Sequence, residues 1–255
     1  MTLRSILTAP IRSALHALGL QRVDAADALA HVDPAIAQTV REVLPFTMTS
    51  PARVAALCEA VEYVVRNRVP GGIVECGVWK GGSMMAVART LVRLGDPGRE
   101  LYLFDTFEGM TAPTEKDIAI TGESAAQLMA REDRRDPRSV WCVSPLEEVR
   151  QAVLGTGYDA AKVHFVKGRV EDTLPGRAPE RIALLRLDTD WYESTRHEME
   201  HLFPRLARGG VLIVDDYGHW GGARQAVDEY LGAHRVPLLL HRIDYTGRCA
   251  VKWQA

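Results

Sequence analysis

The chain has 255 residues, 47% of them hydrophobic, and a formal net charge of -2. That length and apolar content suit one α/β domain with a full core, alone or with an appended helical arm. The near-neutral balance excludes the basic stripe that follows a nucleic-acid backbone, and short Arg-rich stretches such as "REDRRDPR" read as solvated loop. An apolar run of about 18 residues, as a membrane-spanning helix requires, is missing from the sequence. The four cysteines, Cys58, Cys76, Cys142 and Cys249, have no CxxC spacing, and no signal peptide precedes them. Reduced thiols in a cytoplasm are the expectation.

In chain order, "IRSALHALGL" and "AADALAHVDPAIAQTVREVL" put apolar residues three and four apart, so residues 1–45 read as a helical arm. Such an arm suits a dimer contact or a lid, and a homo-oligomer, with a dimer as one form, is expected. Ser50 and Pro51 then fit a helix cap and first turn opening "PARVAALCEAVEYVVRNR". Five short apolar runs follow, "GGIVECG", "ELYLFDT", "KVHFVKG", "IALLRLD" and "GGVLIVDD", with helical patterns between most of them. Strands alternating with helices predict βαβ units and a mostly parallel sheet. A last helix, "GARQAVDEYLGAH", precedes "PLLLHRIDYTGRCAVKWQ", which suits a hairpin closing the sheet. Residues 46–255 thus form the main domain. Within it the connection at about 106–160 is long and polar enough to be a lid or binding loop.

Ligands of open parallel sheets bind beyond the carboxyl ends of the strands. The first strand runs into "ECGVWKGGS", with Glu75 at its tip, glycines at 77, 81 and 82, and Ser83 opening a helix. Such a turn lets a ligand approach the backbone, and the helix start offers unpaired N–H groups to an anion. The stretch is neither a GxGxxG nor a phosphate loop, which disfavours a nicotinamide oxidoreductase. Asp105 ends the second strand, where nucleoside-binding folds hold a ribose diol. Together the two features point to an adenosine-containing ligand.

Four acids end the late strands. Asp188 and Asp190 lie two apart and would point the same way if extended, while Asp215 and Asp216 are adjacent and can straddle a turn. If the two strands are neighbours, three or four carboxylates meet at one sheet edge and repel one another unless protonated or bridged by a cation. Oxygen-only donors favour Mg²⁺, Mn²⁺ or Ca²⁺ over zinc.

The stretches "ECGVWKGGS", "LYLFDTFEGM", "LLRLDTDWYEST" and "GGVLIVDDYGHWGGARQAVDEY", in this order, resemble the macrocin O-methyltransferase (TylF-like) family over about residues 43 to 250. The resemblance implies a class I methyltransferase fold: a Rossmann-like, mostly parallel seven-stranded sheet with helices on both faces, beside the N-terminal helical arm. It also implies S-adenosylmethionine and Mg²⁺ as cofactors and a sugar hydroxyl of a glycosylated natural product as acceptor. By the same resemblance Glu75, Gly77, Gly81 and Ser83 would hold the methionine portion and Asp105 the ribose, with Thr106 also at the cofactor. Thr47, Met48 and Thr49 would lie across the cofactor, Gly168 and Asp172 by the adenine, and Asp188 beside both cofactor and metal. Asp188, Asp215 and Asp216 match the family's metal ligands and Asp190 its general base, with His219 as reserve base. A catechol or other aromatic diol is a rival acceptor, and a non-catalytic cofactor-binding protein a rival class. Trp191 and Tyr192 fit either acceptor packing or plain core, and Arg224 either an acidic neighbour or solvent.

Overall fold

The computed structural model describes residues 29–136 and 138–254, so the expected helix at 11–20 lies outside the described residues. Helix α1 (Pro34–Val43) begins where Asp33 accepts the Ala35 N–H and Pro34 supplies a helical φ. Helix α2 (Pro51–Arg66) repeats the device, with Ser50 Oγ accepting the Arg53 N–H at 3.2 Å, as the sequence indicates. α1 buries Ile36, Ala37, Val40 and Val43 in the main core. Residues 29–45 therefore belong to the domain body, where the sequence reading set them apart as an arm. A helix of ten residues is marginal alone and forms here because its apolar face is covered.

The chain continues through β1 (Gly72–Cys76), α3 (Gly82–Arg93), β2 (Leu101–Asp105), α4 (Ala125–Arg131), α5 (Leu146–Leu154), β3 (Val163–Lys167) and α6 (Val170–Thr173). It ends with β4 (Ile182–Leu187), α7 (Tyr192–His201), β5 (Leu206–Val214), α8 (Gly221–Ala233), β6 (His241–Arg242) and β7 (Arg248–Val251). The sheet order is β3-β2-β1-β4-β5-β7-β6, with β1 to β5 parallel and β7 antiparallel to both neighbours. The expected hairpin is thus the closing β6–β7 pair. Among the described residues no helix is long and apolar enough to cross a membrane.

Period-two alternation sorts the strands onto two cores. Ile73, Leu184 and Ile213 face α1, α2, α3 and α5, while Val74, Cys76, Leu185 and Leu187 face α7 and α8. Glu75 and Arg186 are register partners on the first face, an ion pair set among apolar neighbours. The sheet reverses direction of growth between β1 and β4, which opens a crevice beyond their carboxyl ends.

Gly77 makes that crevice possible. Its φ is +82°, and a Cβ there would fall 2.0 Å from the Asp188 carbonyl oxygen. Gly77→Ala is expected to cost more than about 1 kcal/mol, since Ala meets both strain and a backbone clash. A urea midpoint equal to wild type would contradict this account.

The long connection divides in two. α5 packs Val149 and Val153 into the main core and serves as the crossover helix between β2 and β3. The excursion proper is residues 106–145, with its own small core of Ala119, Ala125 and Met129 against Trp191, Trp220 and Ala223. Fully buried Asp117 pins it: Oδ1 accepts the Tyr192 N–H at 2.8 Å and Oδ2 the Thr114 N–H at 2.6 Å. Trp191 Nε1 donates to the Thr111 carbonyl at 3.0 Å, and the Ile120 N–H to that of His219 at 2.8 Å. Trp191 and Tyr192 thus anchor the excursion.

Candidate active site

The acids are organised by an arginine inside β4. The buried Arg186 guanidinium donates through Nη1 to Glu75 Oε1 at 2.6 Å and contacts Asp188 Oδ2 at 2.7 Å. Through Nη2 it donates to Asp215 Oδ1 at 2.7 Å and Thr49 Oγ1 at 2.8 Å. Arg53, from the first turn of α2, holds Asp215 Oδ2 and pairs with Asp244 Oδ2 at 3.1 Å. Parallel pairing sets the acids side by side: the Asp188 N–H donates to Cys76 and the Asp215 N–H to Leu187, continuing the ladder past the strand ends.

One side-chain oxygen each from Asp188, Asp215 and Asp216 lies within 4.8 Å of the others. Asp216 Oδ2 is buried without a hydrogen-bond partner among the described residues. Burial, reinforced by neighbouring acids against the pull of Arg186, raises the Asp188 carboxyl well above the usual range. Burial, with Asp190 and Asp215 nearby, does the same to Asp216. Asp190 reaches this group by a route other than strand alternation. β4 stops at Leu187, and Asp190 adopts φ +67°, a left-handed conformation that Asp tolerates. The turn brings its carboxyl to the same end of the cavity as Asp216, and burial pushes it up to about 7. Thr189, between the acids, donates to Glu198 Oε1 at 2.9 Å, so a buried carboxyl of α7 braces the loop.

A cavity extends from these acids along the ends of β1 and β2. Of the expected binding residues, Thr47, Met48, Thr49, Gly77, Ser83, Asp105, Thr106, Gly168 and Asp188 line it, as do Asp190, Asp215 and Asp216. Four other expected residues, Glu75, Gly81, Asp172 and His219, fall outside that lining. Glu75 lies beneath the cavity with Oε1 on Arg186, because strand alternation turns it into the core face. Gly81 lies outside the lining and lets α5 approach, since a Cβ there would meet Val153 Cγ2 at 2.8 Å. In the helical turn after Gly168 it is Glu171, one residue before Asp172, that reaches the cavity. His219 also falls outside the lining, its ring edge-on to Trp220 at 5.0 Å, and burial lowers its pKa. Arg224 pairs with Asp228 one helical turn on.

Asp105 sits in the lining, yet its carboxylate is already bonded by the backbone. Oδ2 accepts the Val78 and Trp79 N–H groups at 2.6 and 3.1 Å, and Oδ1 the Phe107 N–H at 2.6 Å. It therefore fixes the Gly-rich turn after β1 as well as facing the cavity. From the excursion, Gly109, Met110, Thr111 and Cys142 complete the lining, so this segment roofs the site.

Sequence reasoning missed Arg53, Arg186 and Asp244. A charged residue inside "IALLRLD" was the one available signal, for a strand buried on both faces excludes Arg unless it is paired. Arg53 carries no such mark, since it reads as one more polar position of an amphipathic helix.

A seven-stranded sheet in this order, with the cavity beyond β1 and β4, defines the class I methyltransferase fold. The sequence model of the macrocin O-methyltransferase (TylF) family matches residues 20–254, and the chain belongs to that family. The 8-demethyl-8-(2,3-dimethoxy-alpha-L-rhamnosyl)-tetracenomycin-C 4'-O-methyltransferase of Streptomyces olivaceus is 37% identical over 201 residues, covering 79% of this chain and 73% of the relative. The demethyldecarbamoylnovobiocin O-methyltransferase of Streptomyces niveus is 35% identical over 209 residues, covering 82% and 75% respectively. Among solved structures, the O-methyltransferase NovP superposes with a TM-score of 0.69 at 33% identity, over 82% of this chain and 83% of that one.

Proposed function

We propose that this enzyme transfers a methyl group from S-adenosylmethionine to a hydroxyl of a sugar on a glycosylated natural product, with Mg²⁺ at the acids. The observation that carries the reading is the convergence of Asp188, Asp215 and Asp216, with Asp190 beside them, at one end of a cavity that begins at a Gly-rich turn. The S. olivaceus relative is named for methylating a rhamnosyl group, which supports the acceptor class. All four cysteines are free, in keeping with a cytoplasmic setting.

The donor set fits a hard divalent cation. It is all oxygen; the guanidiniums of Arg53 and Arg186 pair with Glu75, Asp188 and Asp215, while Asp216 Oδ2 is left orphaned. Asp188, Asp215 and Asp216 would hold the ion. When bound, S-adenosylmethionine supplies an electrophilic methyl, and the cation favours ionisation of a hydroxyl brought beside it. Asp190, outside the ligand set, takes up the hydroxyl proton on its carboxylate. Thr47 to Thr49 and the turn at Gly77 orient the donor. The roof of residues 109–111 and Cys142 excludes water from the reacting atoms.

Methyl transfer to a panel of glycosides, run beside a panel of catechols and with and without EDTA, tests this. Glycoside turnover is expected to fall at least about 100-fold in EDTA and to return with Mg²⁺, as loss of charge stabilisation implies. Turnover on catechols alone would overturn the acceptor class, and full turnover in EDTA would overturn the cation.

A further inference from the structure

The segment from Thr47 to Arg53 touches both halves of the site. Its first half lies against the Gly-rich turn: Thr47, Met48 and Thr49 line the cavity, and a Cβ on Gly82 would fall 2.8 Å from Thr47 Cβ. Its second half reaches the acids. Ser50 Oγ donates to Asp244 Oδ2 at 2.7 Å, and Arg53 bridges Asp244 and Asp215. The two halves meet at one nitrogen, because Arg186 Nη2 donates both to Thr49 Oγ1 at 2.8 Å and to Asp215 Oδ1 at 2.7 Å. Arg186 is 3% exposed, so these bonds act in a low dielectric and respond to each other's charge.

We propose that Thr49, through Arg186, makes cofactor and cation binding cooperative. The inference rests on the function proposed above and assigns Thr49 as a positioning residue. Drawing carboxylate charge away from Asp188 or Asp215 weakens their claim on the guanidinium and strengthens its bond to Thr49, which stiffens the segment lying along the cavity. In the other direction, fixing Thr49 fixes the guanidinium, and with it the orientation of the Asp188 and Asp215 carboxylates. Coupling of this kind is reciprocal: each ligand tightens the other by the same factor. It also needs no large movement, since the bonds are already formed and only their relative strength changes.

The test measures Mn²⁺ binding by electron paramagnetic resonance of the free ion, without and with saturating S-adenosylhomocysteine. Wild type, Thr49→Val and Thr49→Ser are compared, each at a concentration of S-adenosylhomocysteine shown to saturate it. In wild type and Thr49→Ser the cofactor product is expected to tighten Mn²⁺ by about 5-fold or more, the lower end of usual coupling factors. In Thr49→Val the factor is expected to fall below about 2, read as the ratio of Mn²⁺ affinities with and without S-adenosylhomocysteine in that same variant. A wild-type factor retained in Thr49→Val would overturn the proposal, as would Mn²⁺ binding in wild type that ignores S-adenosylhomocysteine. Failure of wild type to bind Mn²⁺ at all is a separate result, which overturns the cation site itself and the coupling with it.

Discussion

Asp190→Asn is expected to lower kcat for glycoside methylation by about 10²- to 10⁴-fold, the usual contribution of a general base. The substitution isolates the proton acceptor. Asn has the volume of Asp and shares its tolerance for the left-handed conformation, so the turn at φ +67° should survive. The amide takes up no proton. Asp188, Asp215 and Asp216 remain, so Mn²⁺ affinity measured by calorimetry should change by no more than about 3-fold, well below the loss in kcat. Wild-type turnover in this variant would remove Asp190 from the mechanism. A large fall in Mn²⁺ affinity would instead recast it as a fourth ligand.

The second large effect is on stability. Arg186→Met is expected to cost about 3–5 kcal/mol in metal-free protein, because removing one partner of a buried ion pair leaves the others uncompensated. Glu75, Asp188 and Asp215 all contact this guanidinium, and Glu75 and Asp215 are almost wholly buried. Methionine fills much of the same space, so the loss is electrostatic more than steric. Chemical denaturation in EDTA reads the cost directly, and adding Mg²⁺ should recover part of it by replacing some of the missing positive charge. A midpoint equal to wild type would mean that the acids are neutral in the folded protein without Arg186, which would undo the electrostatic account of the site.

Some side chains point elsewhere than the sequence pattern suggests, for identifiable reasons. Two-residue spacing suggested that Asp188 and Asp190 share an extended face, but β4 ends before either, and a left-handed turn brings them together. The family resemblance implied that Glu75, at the tip of "ECG", holds the methionine portion of the cofactor. Two residues after Ile73, it shares that residue's face of the sheet and so meets Arg186 on the core side. His219 belongs to the right loop, "DDYGHW", yet its ring packs against Trp220 and Tyr245 beside the cavity. In each case the residue was correctly placed along the chain, and the side-chain direction was what the pattern left open.

Local sequence determined what local physics controls: the caps at Asp33 and Ser50, the apolar runs of five parallel strands, the Gly-rich turn and the acids that end β4 and β5. Caps, alternation and turns act over a few residues, so their signals survive in a linear string. Tertiary structure alone decided which charges meet. Arg186 joins Glu75 and Thr49 from 111 and 137 residues away, and Arg53 joins Asp215 from 162. Such pairs are set by sheet register and helix packing, and an arginine carries no mark of which distant carboxylate will neutralise it.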